Sequence, residues 1–439
     1  MSSILLVIAA IVFIVFATIK LKIHPFLSLF TAALFVGIAA GIPIAEIIDL
    51  LSKGFGGTLS KIGFIIALGA LIGSFLEKTK GTEVIVAYLL KWFGVKRSVL
   101  AMNLTGFIVS IPVFCDSAFV ILSSINKTLS KKTKISLGIF SVALATGLFA
   151  AHVFVPPTPG PLAAAALLGA NLGLLLIWGL IIGLVASLAG YIWAKKWSTK
   201  STSVVQHQEL EEVNDTSLKL SLGVFIPILL PILLIGLQSV ASYPTHPFGE
   251  GTLYNIINAV GHPIIALFIG LIVAYLQSLR QSKDQFQWSV EALKDSGIIM
   301  LITGAGGAFG TILKELDIAS LLNFQSESGI GGLLIAFVVA AILKSAQGSS
   351  TVAIVTTSAF IAPLLSAFGL DSELGRVFAV LAIGSGSMTL SHINDSYFWV
   401  VSQFSDMDVK TALRSYSLGT LFQGLVSLLF IIVIYLFIY

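Results

Sequence analysis

Cysteine and charge are what this 439-residue chain has least of. The single cysteine, Cys115, excludes an internal disulfide and any zinc cluster built on cysteine. Only 10% of the residues are charged, where a soluble domain carries roughly 25%. That shortage excludes an ordinary water-facing surface. Catalytic and nucleotide-binding signatures are lacking too: the sequence holds no H-E-x-x-H, no G-x-x-x-x-G-K-[ST] and no G-x-S-x-G. Without them there is no ATP site for primary transport and no standard hydrolytic machinery, so neither an enzyme nor a cofactor or metal is expected. Ten-residue blocks of alternating polarity, the mark of an outer-membrane barrel, are also absent.

Apolar residues fill the space. They make up 56% of the chain, and the mean hydropathy is +1.01. They come in runs of roughly 17–25, the length that crosses the hydrocarbon core as helix. Backbone groups in lipid must be satisfied within the segment, so the expected fold is an all-α polytopic membrane protein. The first run, Ile4 to Thr18, has no basic residue before it and no small-residue cleavage site, so it reads as a retained span. The net charge of +4 reflects basic cytoplasmic loops, not a nucleic-acid partner.

Apolar segments fall near 3–19, 25–42, 62–76, 98–125, 135–169, 172–194, 219–240, 261–279, 296–313, 330–367, 375–404 and 415–438. Lys and Arg cluster around 20–22, 78–97, 127–134, 195–200, 280–294 and 410–414, whereas 241–260 has neither. Placing the basic clusters inside puts the N-terminus outside. Segment 98–125 then has basic residues at both ends and Pro112 near its middle, which reads as a re-entrant hairpin from the cytoplasmic side. Segment 330–367 reads as a second hairpin from the external side, broken at Gln347-Gly348-Ser349-Ser350. Internal similarity supports the pairing. Gly69-Ala-Leu-Ile-Gly-Ser-Phe-Leu-Glu77 resembles Gly306-Gly-Ala-Phe-Gly-Thr-Ile-Leu-Lys314, Asp116-Ser117 falls against Ser349-Ser350, and Ala151-His152 against Ser391-His392. The expected organisation is an N-terminal repeat over 1–194, a polar cytoplasmic linker over 195–218, and an inverted C-terminal repeat over 219–439. Inverted repeats with broken helices are the pattern of secondary transporters.

The breaks carry the chemistry. Two are the hairpin tips, at Ile111-Pro-Val-Phe-Cys-Asp-Ser117 and Lys344-Ser-Ala-Gln-Gly-Ser-Ser-Thr351. The others lie in broken helices 135–169 and 375–404, at His152-Val-Phe-Val-Pro-Pro-Thr-Pro-Gly-Pro161 and Gly384-Ser-Gly-Ser-Met-Thr-Leu-Ser-His-Ile-Asn-Asp-Ser396. Freed amides, hydroxyls and half-helix N-termini at such breaks bind anions. Charges at membrane depth are costly, which singles out Asp116, Asp395, His152, His392 and Lys344. Lys344 reads as a counter-charge for a carboxylate substrate or as a side chain snorkelling to an interface. Asp116, Asp395 and His392 are the candidates for carrying a coupled proton; the alternative for the two carboxylates is helix capping.

At these same residues the chain resembles the gluconate permease (GntP) family, on His152-Val-Phe-Val-Pro-Pro-Thr-Pro-Gly-Pro161, Gly348-Ser-Ser-Thr-Val-Ala353 and Gly384-Ser-Gly-Ser…Ser-His-Ile-Asn-Asp395 with Phe398-Trp399. The similarity runs over nearly the whole length. It implies a proton-coupled symporter for sugar acids or related hydroxy acids in a bacterial inner membrane, and kinship with two-hairpin transporters that work as homodimers by an elevator motion. Carried over by position, the substrate site comprises Asp116, Ser117, His152, Pro157, Thr158, Lys344, Gly348, Ser349, Ser350, Thr351, Ser387, His392 and Asn394. This chain has Asp116 and Thr158 where gluconate-type members tend to carry Glu and His, so a glycerate-like acid stands beside gluconate as the expected substrate. The rival readings are a sodium-coupled carboxylate or D-serine-type carrier, and a membrane-embedded enzyme or sensor.

Overall fold

A chain whose apolar runs do not alternate can satisfy its amides in lipid only as helix. The computed structural model describes residues 3–198, 222–242, 251–279, 282–316, 329–393 and 395–438, and every regular element among them is helical. Seven of these helices are long and apolar enough to cross a membrane, or eight if the pair Thr252–Gly261 and Pro263–Ser278, bent by 65°, counts as one span. The fold is that of a polytopic membrane protein. Most of the expected linker and Asn394 lie outside the described residues.

Two elements exceed their hydropathy signal. Helix α3 runs Ile44–Lys78, where only 62–76 reads as apolar. Its first half is amphipathic: Ile47, Leu51, Gly54, Thr58 and Ile62 are buried at helical spacing, while Asp49 and Lys53 form an exposed i,i+4 ion pair. A hydropathy run cannot detect a polar face of this kind. The other is Gly81–Phe93, a helix inside a stretch dominated by basic residues.

Four interruptions lie within the segments marked by the sequence. Helices α5 (Ser98–Val109) and α6 (Cys115–Thr133) flank the first, and α7 (Leu137–Phe154) and α8 (Pro159–Leu168) flank the second. Helices α14 (Ile330–Gln347) and α15 (Ser350–Ile361) flank the third, and α16 (Glu373–Ser387) and α17 (Ser396–Phe404) the fourth. The third turns on Gly348, whose φ of +82° would strain any side chain.

The centre of the bundle is α7. It is apolar all round and buried on nearly every residue, as a core membrane helix must be. Small residues and buried amides hold it. A Cβ on Gly147 would lie 2.0 Å from the Asn103 carbonyl of α5. Asn103 Nδ2 donates to the Ala143 carbonyl at 2.8 Å and the Ser187 carbonyl at 3.1 Å, and Gln423 Nε2 to Thr146 and Ala186 at 3.0 and 2.9 Å. Close backbones plus interhelical hydrogen bonds replace the hydrophobic drive that lipid cannot supply.

Helix α3 and α13 (Gln285–Lys314) pack along each other, and the glycine run 304–310 lets them approach: Gly307 faces Thr58 and the Gly54 carbonyl, and Gly304 faces the Phe55 ring. Helix α3 also lies on the first two breaks, with Gly73 against the Pro112 carbonyl and Gly69 against Pro157. Helix α13 lies on α15, with Gly306 against Val355.

Gly147→Ala should therefore lower thermal stability by an amount corresponding to about 1–3 kcal/mol of overpacking. Gly236→Ala, where nothing lies within 4 Å, should leave stability unchanged or raise it slightly. Thermal denaturation of the two detergent-purified variants checks this; equal melting temperatures would contradict the close α5–α7 approach.

Candidate functional site

Three helix N-termini meet at one cavity. The first turn of α6 brings Phe114, Cys115, Asp116 and Ser117, the first turn of α15 brings Gly348, Ser349, Ser350 and Thr351, and the start of α17 brings Asp395, Ser396 and Tyr397. Phe149 and His152 of α7, Gln347 of α14, and Asp295 and Ile299 of α13 complete a space of about 460 Å³. That size suits a small organic ligand.

Each N-terminus exists because its sequence cannot continue the preceding helix. Pro112 clashes with the preceding turn, and α6 restarts after Phe114 with no side-chain cap. Ser349 Oγ caps α15 by accepting from the Val352 amide, and Asp395 caps α17 by accepting from the Tyr397 amide at 3.1 Å. Three partial positive charges, roughly +0.5 each, thus face one space.

Behind the cavity sits a buried ion pair. Lys344 is 1% exposed; its ammonium donates to Asp395 Oδ2 and to the Gly348 carbonyl, each at 2.5 Å, and lies 5.4 Å from the centroid of the Phe149 ring. Asp395 Oδ2 also accepts from the Ser391 hydroxyl. Lys344 thus faces Asp395 and the break between α14 and α15, enclosed by protein. The side chain is not part of the cavity wall; Gly348 and Asp395 are.

Other polar groups are held less completely. Asp116 Oδ1, His152 Nδ1 and both amide atoms of Gln347 are buried without a hydrogen-bond partner. A buried polar atom left unpaired costs about 1–3 kcal/mol. Here all three side chains line the cavity, where a polar ligand can supply what they lack.

Of the positions picked from sequence, Asp116, Ser117, His152, Gly348, Ser349, Ser350 and Thr351 come together in this wall, with Asp395. Pro157 and Thr158 line a small neighbouring space beside Gly69 and Phe114, and the Thr158 hydroxyl donates to the Val155 carbonyl at 2.5 Å. Ser387 is buried and donates to the Gly384 carbonyl. His392 Nε2 lies 3.0 Å from the Ser345 carbonyl, outside the wall. Sequence reasoning passed over Asp295 and Tyr397, and placed Gln347 in the second break without giving it a role in the site. Asp295 sat between a basic cluster and an apolar run; a carboxylate at the edge of a span was the available signal.

Removing one partner of the buried pair leaves a lone charge, which typically costs 3–5 kcal/mol. Lys344→Met should lower the melting temperature sharply. Lys344→Met/Asp395→Asn, which keeps a capping oxygen, should recover much of the loss. A double variant no more stable than the single one would contradict the pairing.

Comparison with known proteins agrees with this architecture. Residues 2–437 match the GntP family permease. The gluconate permease of Pseudomonas aeruginosa is 32% identical over 94% of this chain and 93% of its own length. The D-serine transporter DsdX of Escherichia coli is 33% identical over 95% of both. In fold, the YdaH transporter of Alcanivorax borkumensis superposes with a TM-score of 0.68 over 94% of this chain and 98% of its own, at 14% identity. The relatives include an inner-membrane permease. The chain belongs to the GntP family of permeases and is a multi-pass inner-membrane transporter.

Proposed function

We propose that the protein imports a small hydroxylated monocarboxylate, a gluconate-like sugar acid or a glycerate-like hydroxy acid, by proton symport. The observation that carries this is the convergence of three helix N-termini on one cavity whose wall also holds unpaired polar side chains. Helix ends favour the carboxylate. The hydroxyls of Ser117, Ser349, Ser350 and Thr351, with Gln347 and His152, suit a polyhydroxylated body.

The coupling follows from charge. Lys344 and Asp395 neutralise one another. Asp116 has no such partner and shares the cavity. An ionised Asp116 beside a substrate carboxylate places two like charges in a poorly solvated space, and one proton removes the conflict. Substrate and proton then bind together. Transport follows as an elevator movement of the two hairpins, 98–125 and 330–367, within the inverted halves 1–194 and 219–439 of a homodimer.

One residue favours a second reading. Asp295 faces the cavity from α13 and supplies an acceptor for a cationic amine. A D-serine-like zwitterion would place its carboxylate at the helix ends and its ammonium at Asp295, and the 33% identical D-serine transporter adds weight.

Proteoliposome uptake in sodium-free buffer under a pH gradient separates these. Gluconate or glycerate should accumulate in the wild type. Asp116→Asn should retain counterflow exchange but lose pH-driven accumulation; full accumulation in that variant would move the proton role to Asp395 or His392. If D-serine is the substrate instead, Asp295→Asn should abolish its uptake, and uptake of the hydroxy acids should be absent from the start. Accumulation that requires sodium would remove the proton.

A further inference from the structure

A second cavity, about 380 Å³, lies at the other end of the same helices. Its wall carries Lys53 and Lys61 of α3, Lys314 of α13 and Arg376 of α16, against one carboxylate, Asp371. Lys53 is partly offset by its ion pair with Asp49, and Arg376 donates to the Asp371 and Gly169 carbonyls. Lys61 and Lys314 have no ion-pair partner among the described residues.

Helix geometry sets the separation. Asp295 belongs to the candidate site and Lys314 to the second cavity, and about 28 Å of continuous α13 lies between them at ~1.5 Å per residue. That is close to the thickness of a hydrocarbon core, roughly 30 Å. Helix α15 bridges the same two places: Ser350 and Thr351 open on the candidate site, while Ala362 and Leu365, just beyond its end, open on the second cavity. With basic loops inside, residues 53, 61, 314 and 376 fall on the external side, as exceptions to the inward bias of Lys and Arg.

The internal sequence similarity gives those exceptions a meaning. A mouth of about 120 Å³ adjoins the candidate site, sharing Phe114, Ser117 and Asp295 with it, and is lined from α3 by Lys78 and by the four positions Ala70, Gly73, Ser74 and Glu77. The positions aligned with these four are Gly307, Gly310, Thr311 and Lys314, and all four line the second cavity. The same helix face, at the same register, walls a cavity at each end of the molecule. Charge is what changes: Glu77 and Asp295 mark one mouth, where Glu291 is paired with Lys78 at 3.0 Å, and Lys314, with Lys61 and Arg376, marks the other.

We propose that the cavity bounded by Lys53, Lys61, Lys314 and Arg376 is an external anion-collecting vestibule that gathers the substrate's carboxylate before it reaches the hairpin tips. This rests on the transporter reading above. Clustered charge in a low-dielectric cleft raises the local concentration of a counter-ion by about 10- to 1,000-fold in on-rate and does so only at low ionic strength. At the opposite mouth three carboxylates face one lysine, Lys78, so its net charge repels the same anion and the two mouths are unequal in the direction that favours entry from outside.

A cysteine at Gly57 reports the potential directly. Gly57 lines the vestibule and has open space around it, and the native Cys115 is buried and sets the background. In phosphatidylcholine liposomes, Gly57→Cys should react with an anionic sulfonatoethyl methanethiosulfonate faster than with its cationic trimethylammonioethyl analogue, once each rate is divided by that for a free thiol. About tenfold is expected at low salt. The ratio should fall toward one at high salt and in Lys53→Gln/Lys61→Gln/Lys314→Gln. A ratio near one, or one that survives removal of the three lysines, overturns the proposal. A ratio that collapses when phosphatidylglycerol is added assigns the cavity to a lipid headgroup and overturns it too. In uptake, the triple variant should raise KM for gluconate severalfold at low salt while leaving zwitterionic D-serine unchanged. If the wild type transports neither, the substrate reading fails, and the thiol ratio alone still judges the vestibule.

Discussion

The buried ion pair between Lys344 and Asp395 is the constraint on which the site depends. Desolvating two charges costs several kcal/mol each, and only good geometry with further hydrogen bonds offsets it. Here the ammonium also holds the Gly348 carbonyl, and the carboxylate also holds the Ser391 hydroxyl and the Tyr397 amide. One pair therefore ties the tip between α14 and α15 to the break between α16 and α17. Two of the three helix ends at the cavity are fixed relative to each other by it. The third, at Asp116, is held instead by the packing of α3 on Pro112 and of Phe119 on Tyr397.

This division has a consequence for charge. With Lys344 occupied by Asp395, no free cation among the described residues lines the cavity to meet the proposed substrate anion. Attraction falls to the helix N-termini, whose partial charges lie on fixed backbone and need no reorganisation. The same division leaves Asp116 and Asp295 as the wall carboxylates without an ion-pair partner among the described residues, and of these Asp116 sits at a helix N-terminus. In the proposed reading, binding and coupling use different groups: helix ends for the anion, Asp116 for the proton. Around them, the mouths differ in sign, acidic near Asp295 and basic near Lys314.

Much of this was legible in the sequence because the breaks are local events. Pro112, the prolines at 156, 157, 159 and 161, and Gly348 with Ser349 interrupt helix by their own stereochemistry. All four interruptions appear, and most of the polar residues beside the hairpin tips line the cavity. What was not legible is long-range or amphipathic. Nothing near Lys344 in sequence announces that its partner is Asp395, so a counter-ion for substrate was the natural expectation. Hydropathy missed the first half of α3 because Asp49, Lys53 and Lys61 lie on one face of a helix whose other face is buried. Asp295 escaped notice because only tertiary packing brings α13 to the tips.

The central claim is that a carboxylate binds where the three helices begin. An experimental structure of the protein with gluconate, glycerate or D-serine bound tests it most directly. The account predicts a ligand carboxylate within hydrogen-bonding distance of backbone amides in the first turns of α6 or α15, with its body against Gln347 and His152. A ligand bound through Lys344 with the Asp395 pair broken, or one seated away from the hairpin tips, would contradict it.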